Sequence, residues 1–187
     1  MRCFQIGFPM AAGNRRKARR KNMKYFAYGS NMLLARLSKR VPSAKVFSTG
    51  VLTGHRLMWH KKGSDGSGKC DAFQTGKESD LLYGVLFDMA EADKPSLDLA
   101  EGSGFGYDEK TVSVFSEADK TMVEALTYYA TNIKEGYRPY HWYKSFVLKG
   151  AIENNLPDDY VEMIREVESI QDENETRRSF NGNILGL

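Results

Sequence analysis

The sequence predicts an α+β fold, a small curved mixed β-barrel flanked by helices. Three observations lead there. Strand-like segments fill the first two thirds of the 187-residue chain, and a helical period takes over only near the end. Glycines such as Gly50 and Gly54 fall inside the strand patterns, where they favour bends over a flat sheet. A hydrophobic fraction of 41% and a length suited to one domain allow a single buried core.

Residues 1–22 differ from the rest. They carry Arg2, Arg15, Arg16, Lys17, Arg19, Arg20 and Lys21 and no acid, so taking these seven charges from the net +3 leaves the remainder at −4. This stretch reads as a basic, disordered extension, with Met23 as the working start. A targeting peptide and a basic arm for nucleic acid or anionic lipid rank behind that reading. The acidic body and the lack of aromatics among the basic residues argue against nucleic-acid binding. No apolar run is long enough to span a bilayer, so no membrane partner is expected. Cys3 and Cys70 make no disulfide framework, which points to a reducing, cytoplasmic setting.

A single domain is expected over 23–170. A first strand covers 24–28 and a short helix 31–38, before Pro42 and Ser43 break the chain. Residues 46–57 are strand-like, with Gly50 and Gly54 as bends or bulges. A polar, flexible loop follows at 61–69, then strands at 72–74 and 81–89. A helix at 92–100 has Pro95 near its start, and Gly102, Gly104 and Gly106 surround a turn. Strands at 107–115 and 122–130 are joined by a turn at 117–120. The period then changes. A helix over 139–154 places Tyr140, Tyr143, Val147, Leu148 and Ile152 on one side. A second helix, 157–170, carries Tyr160, Ile164, Val167 and Ile170 on one stripe, with Asp158 and Asp159 at its positive end. The polar segment 171–187 reads as a mobile tail.

Chemistry concentrates at two places. Tyr25-Phe26-Ala27-Tyr28-Gly29-Ser30-Asn31 is a strand running through a tight turn into a helix start. Amides freed at such a turn attract negative charge. Gly29 makes room for a ligand or an unusual backbone, and Ser30 or Asn31 suits an N-cap. Glu101 ends the helix at 92–100, against the negative pole, an arrangement unfavourable by a few tenths to ~1 kcal/mol. Burial there would raise its pKa, as a general base requires.

Other candidates fail. The segment 63–69 approaches a phosphate-binding loop, but Cys70 stands where Ser or Thr should follow the lysine, and a strand follows instead of a helix. His55, His60, His141 and Cys70 lack metal-ligand spacing, so no metal is expected. Ser30 lacks the second glycine of a nucleophile elbow. Helical spacing assigns Tyr140 and Tyr143 to the core rather than to a stacking platform with Trp142.

Tyr25-Phe-Ala-Tyr-Gly-Ser-Asn31, Ser96-Leu-Asp-x-x-Glu-Gly102 and Gly150-Ala-x-Glu-Asn-x-Leu-Pro157, in this order, resemble the γ-glutamylcyclotransferase family. Gly66-Ser-Gly-Lys-Cys-Asp71 is similar to its bacterial branch, and the likeness runs from about Lys24 to Tyr160. The resemblance implies a γ-glutamylcyclotransferase-like barrel without a cofactor, acting on a small-molecule γ-glutamyl substrate. It implies cyclisation to 5-oxoproline with release of the attached amine. It makes Glu101 the general acid/base, gives the backbone of Tyr25–Ser30 the γ-glutamyl group, and puts Tyr107 and Tyr128 near the pocket. A non-catalytic binding module of the same fold is the alternative. The loop 61–69 is the expected wall against the departing amine, whose identity stays open, as does a homodimer.

Overall fold

A computed structural model describes residues 21–186, so the basic extension expected at 1–22 lies, up to residue 20, outside the described residues. The strands are β1 (Asn22–Ala27), β2 (Lys45–Thr53), β3 (His55–Lys62), β4 (Gly68–Gln74), β5 (Leu81–Ala90), β6 (Tyr107–Ser116) and β7 (Thr121–Ala130). Five of them close into a barrel in the order β1-β5-β2-β6-β7. Its pairings are antiparallel except at the closure, where β1 meets β7 in parallel through Tyr25 and Leu126. β5 lies between β1 and β2, and its Leu82, Val85, Leu86, Phe87 and Met89 are buried. Enclosure of this kind removes the exposed edges of an open sheet.

The single strand expected over 46–57 is two strands. Gly54 turns the chain with φ +74°, a left-handed value that suits glycine. Gly50 is no bend but pairs with Gly84 inside β2. Beyond Gly54, β3 leaves the barrel and pairs with β4 as a two-stranded arm. Pairing of Lys61 with Lys69 and Lys62 with Gly68 draws both ends of the expected loop into strands, so the turn proper spans 63–67.

The helix expected at 31–38 is a 3-10 turn (Ser30–Met32), an extended Leu33, and a short α1 (Leu34–Leu37). α2 (Lys94–Glu101) follows β5. α3 (His141–Glu153) buries Trp142, Tyr143, Phe146, Val147, Gly150 and Ala151, whereas Ile152 is exposed. Its apolar face is thus rotated from the expected stripe. Gly150 matters because a Cβ there would lie 2.7 Å from the Leu33 nitrogen and 2.8 Å from the Met32 Cβ. The missing side chain lets α3 press against the turn after β1, and Asn154 Nδ2 donates to the Met32 carbonyl at 3.1 Å.

α4 (Asp158–Glu166) ends before the expected 170. The chain straightens so that Ile170 exchanges backbone bonds with the segment entering α3: its amide donates to the Pro139 carbonyl and its carbonyl accepts from the His141 amide. The segment from Gln171, expected to be mobile, carries α5 (Glu175–Leu185). Asp172 anchors it. Its buried carboxylate accepts from Trp142 Nε1 at 2.8 Å and from Arg177 Nε and Nη2 at 2.6 Å each. Lys149 caps the far end by donating to the Leu185 carbonyl. No helix of the described residues is long and apolar enough to cross a membrane.

The Arg177 guanidinium holds the Asp172 carboxyl down at about 2, with Trp142 and the Asn174 amide assisting against burial. A carboxyl depressed on folding stabilises the fold above its ordinary pKa, and that contribution is lost as pH falls from about 4 towards 2. Asp172→Ala is therefore expected to cost about 2 kcal/mol at neutral pH, less than a fully buried pair because Arg177 is partly exposed. Thermal melts of both proteins across that pH range check this: the gap between them narrows at the acid end.

Candidate active site

The site begins where β1 stops. Met32 donates to the Gly29 carbonyl at 2.9 Å, closing the 3-10 turn. The amides of Ser30 and Asn31, at its head, have no carbonyl within the turn to bond. Asn31 is buried and faces inward, where its Nδ2 donates to the Tyr25 hydroxyl at 3.1 Å and to Glu101 Oε1 at 2.5 Å. Arg40, just past α1, donates from Nη1 to Asn31 Oδ1 at 3.0 Å and approaches Glu101 Oε1 at 3.4 Å. The carboxylate that sits against the negative end of α2 is thus offset by a guanidinium and an amide from the first strand's turn. Gly102, with φ +69°, ends α2 behind it. Among the described residues both hydrogen bonds to this carboxylate fall on Oε1 and none on Oε2.

Tyrosines make the walls. Tyr28 donates to the Tyr128 carbonyl at 2.6 Å, and Tyr128 donates to Asp98 Oδ1 at 2.5 Å. Tyr107 donates to the Cys70 carbonyl at 2.5 Å, and the Tyr143 hydroxyl accepts from the Cys70 amide at 3.1 Å. Burial pushes the Tyr25, Tyr28, Tyr107, Tyr128 and Tyr143 phenols above their ordinary value, with nearby negative groups adding to it. They remain neutral hydroxyls at physiological pH. Behind the wall, His60 Nε2 lies 2.8 Å from Asp71 Oδ2, and Asp71 Oδ1 accepts from the Ala130 amide at 2.7 Å, fastening β4 to β7.

These contacts enclose a small inner pocket of about 30 Å³. Of the residues expected from sequence, Tyr25, Tyr28, Gly29, Ser30, Asn31, Glu101, Tyr107 and Tyr128 all line it. Phe26 and Ala27 do not. They are buried in the barrel wall, where the Phe26 carbonyl accepts from the Thr127 hydroxyl. A larger outer cleft of about 520 Å³ shares Ser30, Glu101, Tyr107 and Tyr143 with the pocket and reaches the arm at Lys61, Asp65 and Lys69. Cys70, Tyr143 and Arg40 were missed from sequence. Tyr143 is buried as its helical spacing required, but its hydroxyl faces the pocket. Among the described residues, no three His, Cys, Asp or Glu side chains are grouped to hold a metal ion.

Residues 81–164 match the model of the AIG2-like family. A human protein named gamma-glutamylcyclotransferase is 33% identical to this chain over 156 residues, which cover 77% of this chain and 78% of that protein. The chain belongs to the γ-glutamylcyclotransferase family. A mouse protein of the same name is 30% identical over 155 residues, with the same coverage of each chain. A solved structure of a gamma-glutamyl cyclotransferase superimposes with a TM-score of 0.77 at 27% identity, covering 87% of this chain and 99% of that one. The barrel with flanking helices is the cyclotransferase fold, and the protein is an enzyme of this class.

Cys70 contributes its backbone to this cyclotransferase pocket. Its thiol is buried and pushed up to about 12, chiefly by desolvation. A thiol so disposed is a poor nucleophile. Iodoacetamide at about pH 8 is expected to alkylate Cys70 on the order of 10³-fold more slowly than a free thiol, and at the ordinary rate once the chain is unfolded. Peptide mass spectrometry reads both rates.

Proposed function

We propose that this enzyme cyclises the γ-glutamyl group of a small γ-glutamyl compound to 5-oxoproline and releases the attached amine, with Glu101 as general acid/base. The observation that carries this reading is the Glu101 carboxylate, held 2.5 Å from Asn31 Nδ2 at a pocket lined by the Gly29–Asn31 turn. A carboxylate fixed beside free amides is what an intramolecular aminolysis needs.

In that reaction the substrate's own α-amine attacks its γ-carbonyl. A new C–N bond closes the five-membered ring, and the C–N bond to the departing amine breaks. Nucleophile and electrophile share one molecule, so the chain must orient them and move protons. Effective molarities for well-oriented intramolecular reactions reach about 10⁵ M, on the order of 7 kcal/mol. Glu101 takes the proton shed by the attacking nitrogen and returns it to the departing one. With Oε1 engaged by Asn31 and Arg40, Oε2 is the oxygen that handles it. The amides of Ser30 and Asn31 are the donors for the oxyanion or the substrate's carboxylate, while Tyr107 and Tyr128, whose protons go to the Cys70 carbonyl and to Asp98, shape the wall around the γ-glutamyl group. Cys70, held as a free thiol, fits a reducing cytoplasmic location.

Glu101→Gln keeps the shape and removes the proton shuttle. Turnover, followed as 5-oxoproline formed from a panel of γ-glutamyl compounds, is expected to drop about 10²–10⁴-fold with the thermal melt little changed. Equal rates for the two proteins would overturn the assignment.

A further inference from the structure

The outer cleft carries more positive charge than its carboxylates use. Asp65 is taken by Lys69 at 2.7 Å and by the Ser67 hydroxyl at 2.9 Å. Glu101 is taken by Arg40 and Asn31. Arg36 and Lys61 line the same cleft, and among the described residues neither has a carboxylate within 4.0 Å. Both are partly buried. The Arg36 guanidinium lies over the Phe146 ring at 4.3 Å, reaches only Asn181 Oδ1 at 3.5 Å, and leaves a buried Nε without a partner. The Lys61 ammonium sits 4.6 Å from the ring centre of Tyr107, one of the residues common to pocket and cleft.

A cation taken partly out of water without a counter-charge is unfavourable until an anion reaches it. Desolvation is the main cause lowering both groups, Arg36 to about 10, yet Arg36 remains charged at neutral pH. Their positive charges also help to lower Lys69, behind the larger effect of its own burial, which places the three in one cluster.

We propose that Arg36 and Lys61 read the departing amine and make the enzyme selective for an acidic leaving group, a γ-linked amino acid with two carboxylates. The inference rests on the cyclisation reading above and adds the substrate's other half. Glu101 lines both spaces, so a γ-glutamyl group in the inner pocket directs its amide nitrogen past Glu101 into the outer cleft. Arg40 also lines the outer cleft but is committed to Asn31 and Glu101. A leaving amino acid with a neutral side chain offers one carboxylate to the two partly buried, unpaired cations, whereas an acidic one offers a carboxylate to each.

The test compares γ-glutamyl-glutamate with γ-glutamyl-glutamine, which has nearly the same shape and one negative charge fewer, and with γ-glutamyl-butylamine, whose leaving group has none. Formation of 5-oxoproline is measured for each. The wild-type enzyme is expected to favour γ-glutamyl-glutamate over γ-glutamyl-glutamine by about tenfold in kcat/KM, mainly through KM, and butylamine is expected to be poorest. The preference shrinks in about 0.5 M sodium chloride. Arg36→Met and Lys61→Met each bring the glutamate-to-glutamine ratio towards one, while Arg36→Lys keeps part of it. Lys61 lies on the arm and Arg36 on α1, so a folding defect in one variant leaves the other as the readout. Equal use of the glutamate and glutamine compounds by the wild type, or a preference that survives both methionine variants, overturns this inference and leaves cyclisation standing. Failure to turn over any of the three overturns both.

Discussion

The hydrogen bond from Asn31 to Glu101 joins chain segments 70 residues apart, and the site exists because of it. One partner belongs to the turn that ends the first strand, the other to the last residue of α2. Neither element supplies a site by itself. The turn is a short 3-10 segment, and a lone acid at a helix C-terminus is unfavourable. Brought together, with Arg40 bonded to both, each answers the other's defect. The carboxylate gains donors, and the amide of Asn31 gains an acceptor in a place largely removed from water.

The rest of the fold holds that bond in place. Closure of the barrel through Tyr25 and Leu126 locates the end of β1. α3 then bears on the turn from outside, through the space left by Gly150 and the bond from Asn154 to the Met32 carbonyl. The β3–β4 arm brings Cys70 to the opposite wall, where two tyrosine hydroxyls engage its backbone. An inner pocket of neutral hydroxyls and an outer cleft of unpaired cations meet at Glu101. In the proposed cyclisation the first would position the reacting group and the second would receive what leaves.

Legibility in the sequence followed the range of the interaction. Alternation and apolar runs located β1, β5, β6 and β7 to within two residues, because strand burial imposes its period on nearby positions, but ran β2 on into β3. The motif ending in Asn31 and the misplaced acid at 101 were visible for the same local reason. Arg40 carries no such mark, since its partners are set by how α1 is aimed after the turn. Helical spacing assigns Tyr143 to the core, because it reports that a side chain is buried but not whether its hydroxyl faces apolar packing or a cavity. The segment after Gln171 looks like a tail in the sequence because its anchors are polar, and the burial of Asp172 against Trp142 and Arg177 leaves no hydrophobic signature.

The sequence by itself determined the strand-rich body with late helices, the strand-turn-helix start and the carboxylate at 101, since each is written in spacing over a few residues. Only the tertiary structure decided that the acid meets the turn, that five strands close while two form an arm, and that among the described residues Arg36 and Lys61 have no carboxylate in ion-pair contact. Those outcomes depend on which distant surfaces come into contact. Contact between segments 70 residues apart is settled by packing the whole core, not by any preference of the residues along the chain.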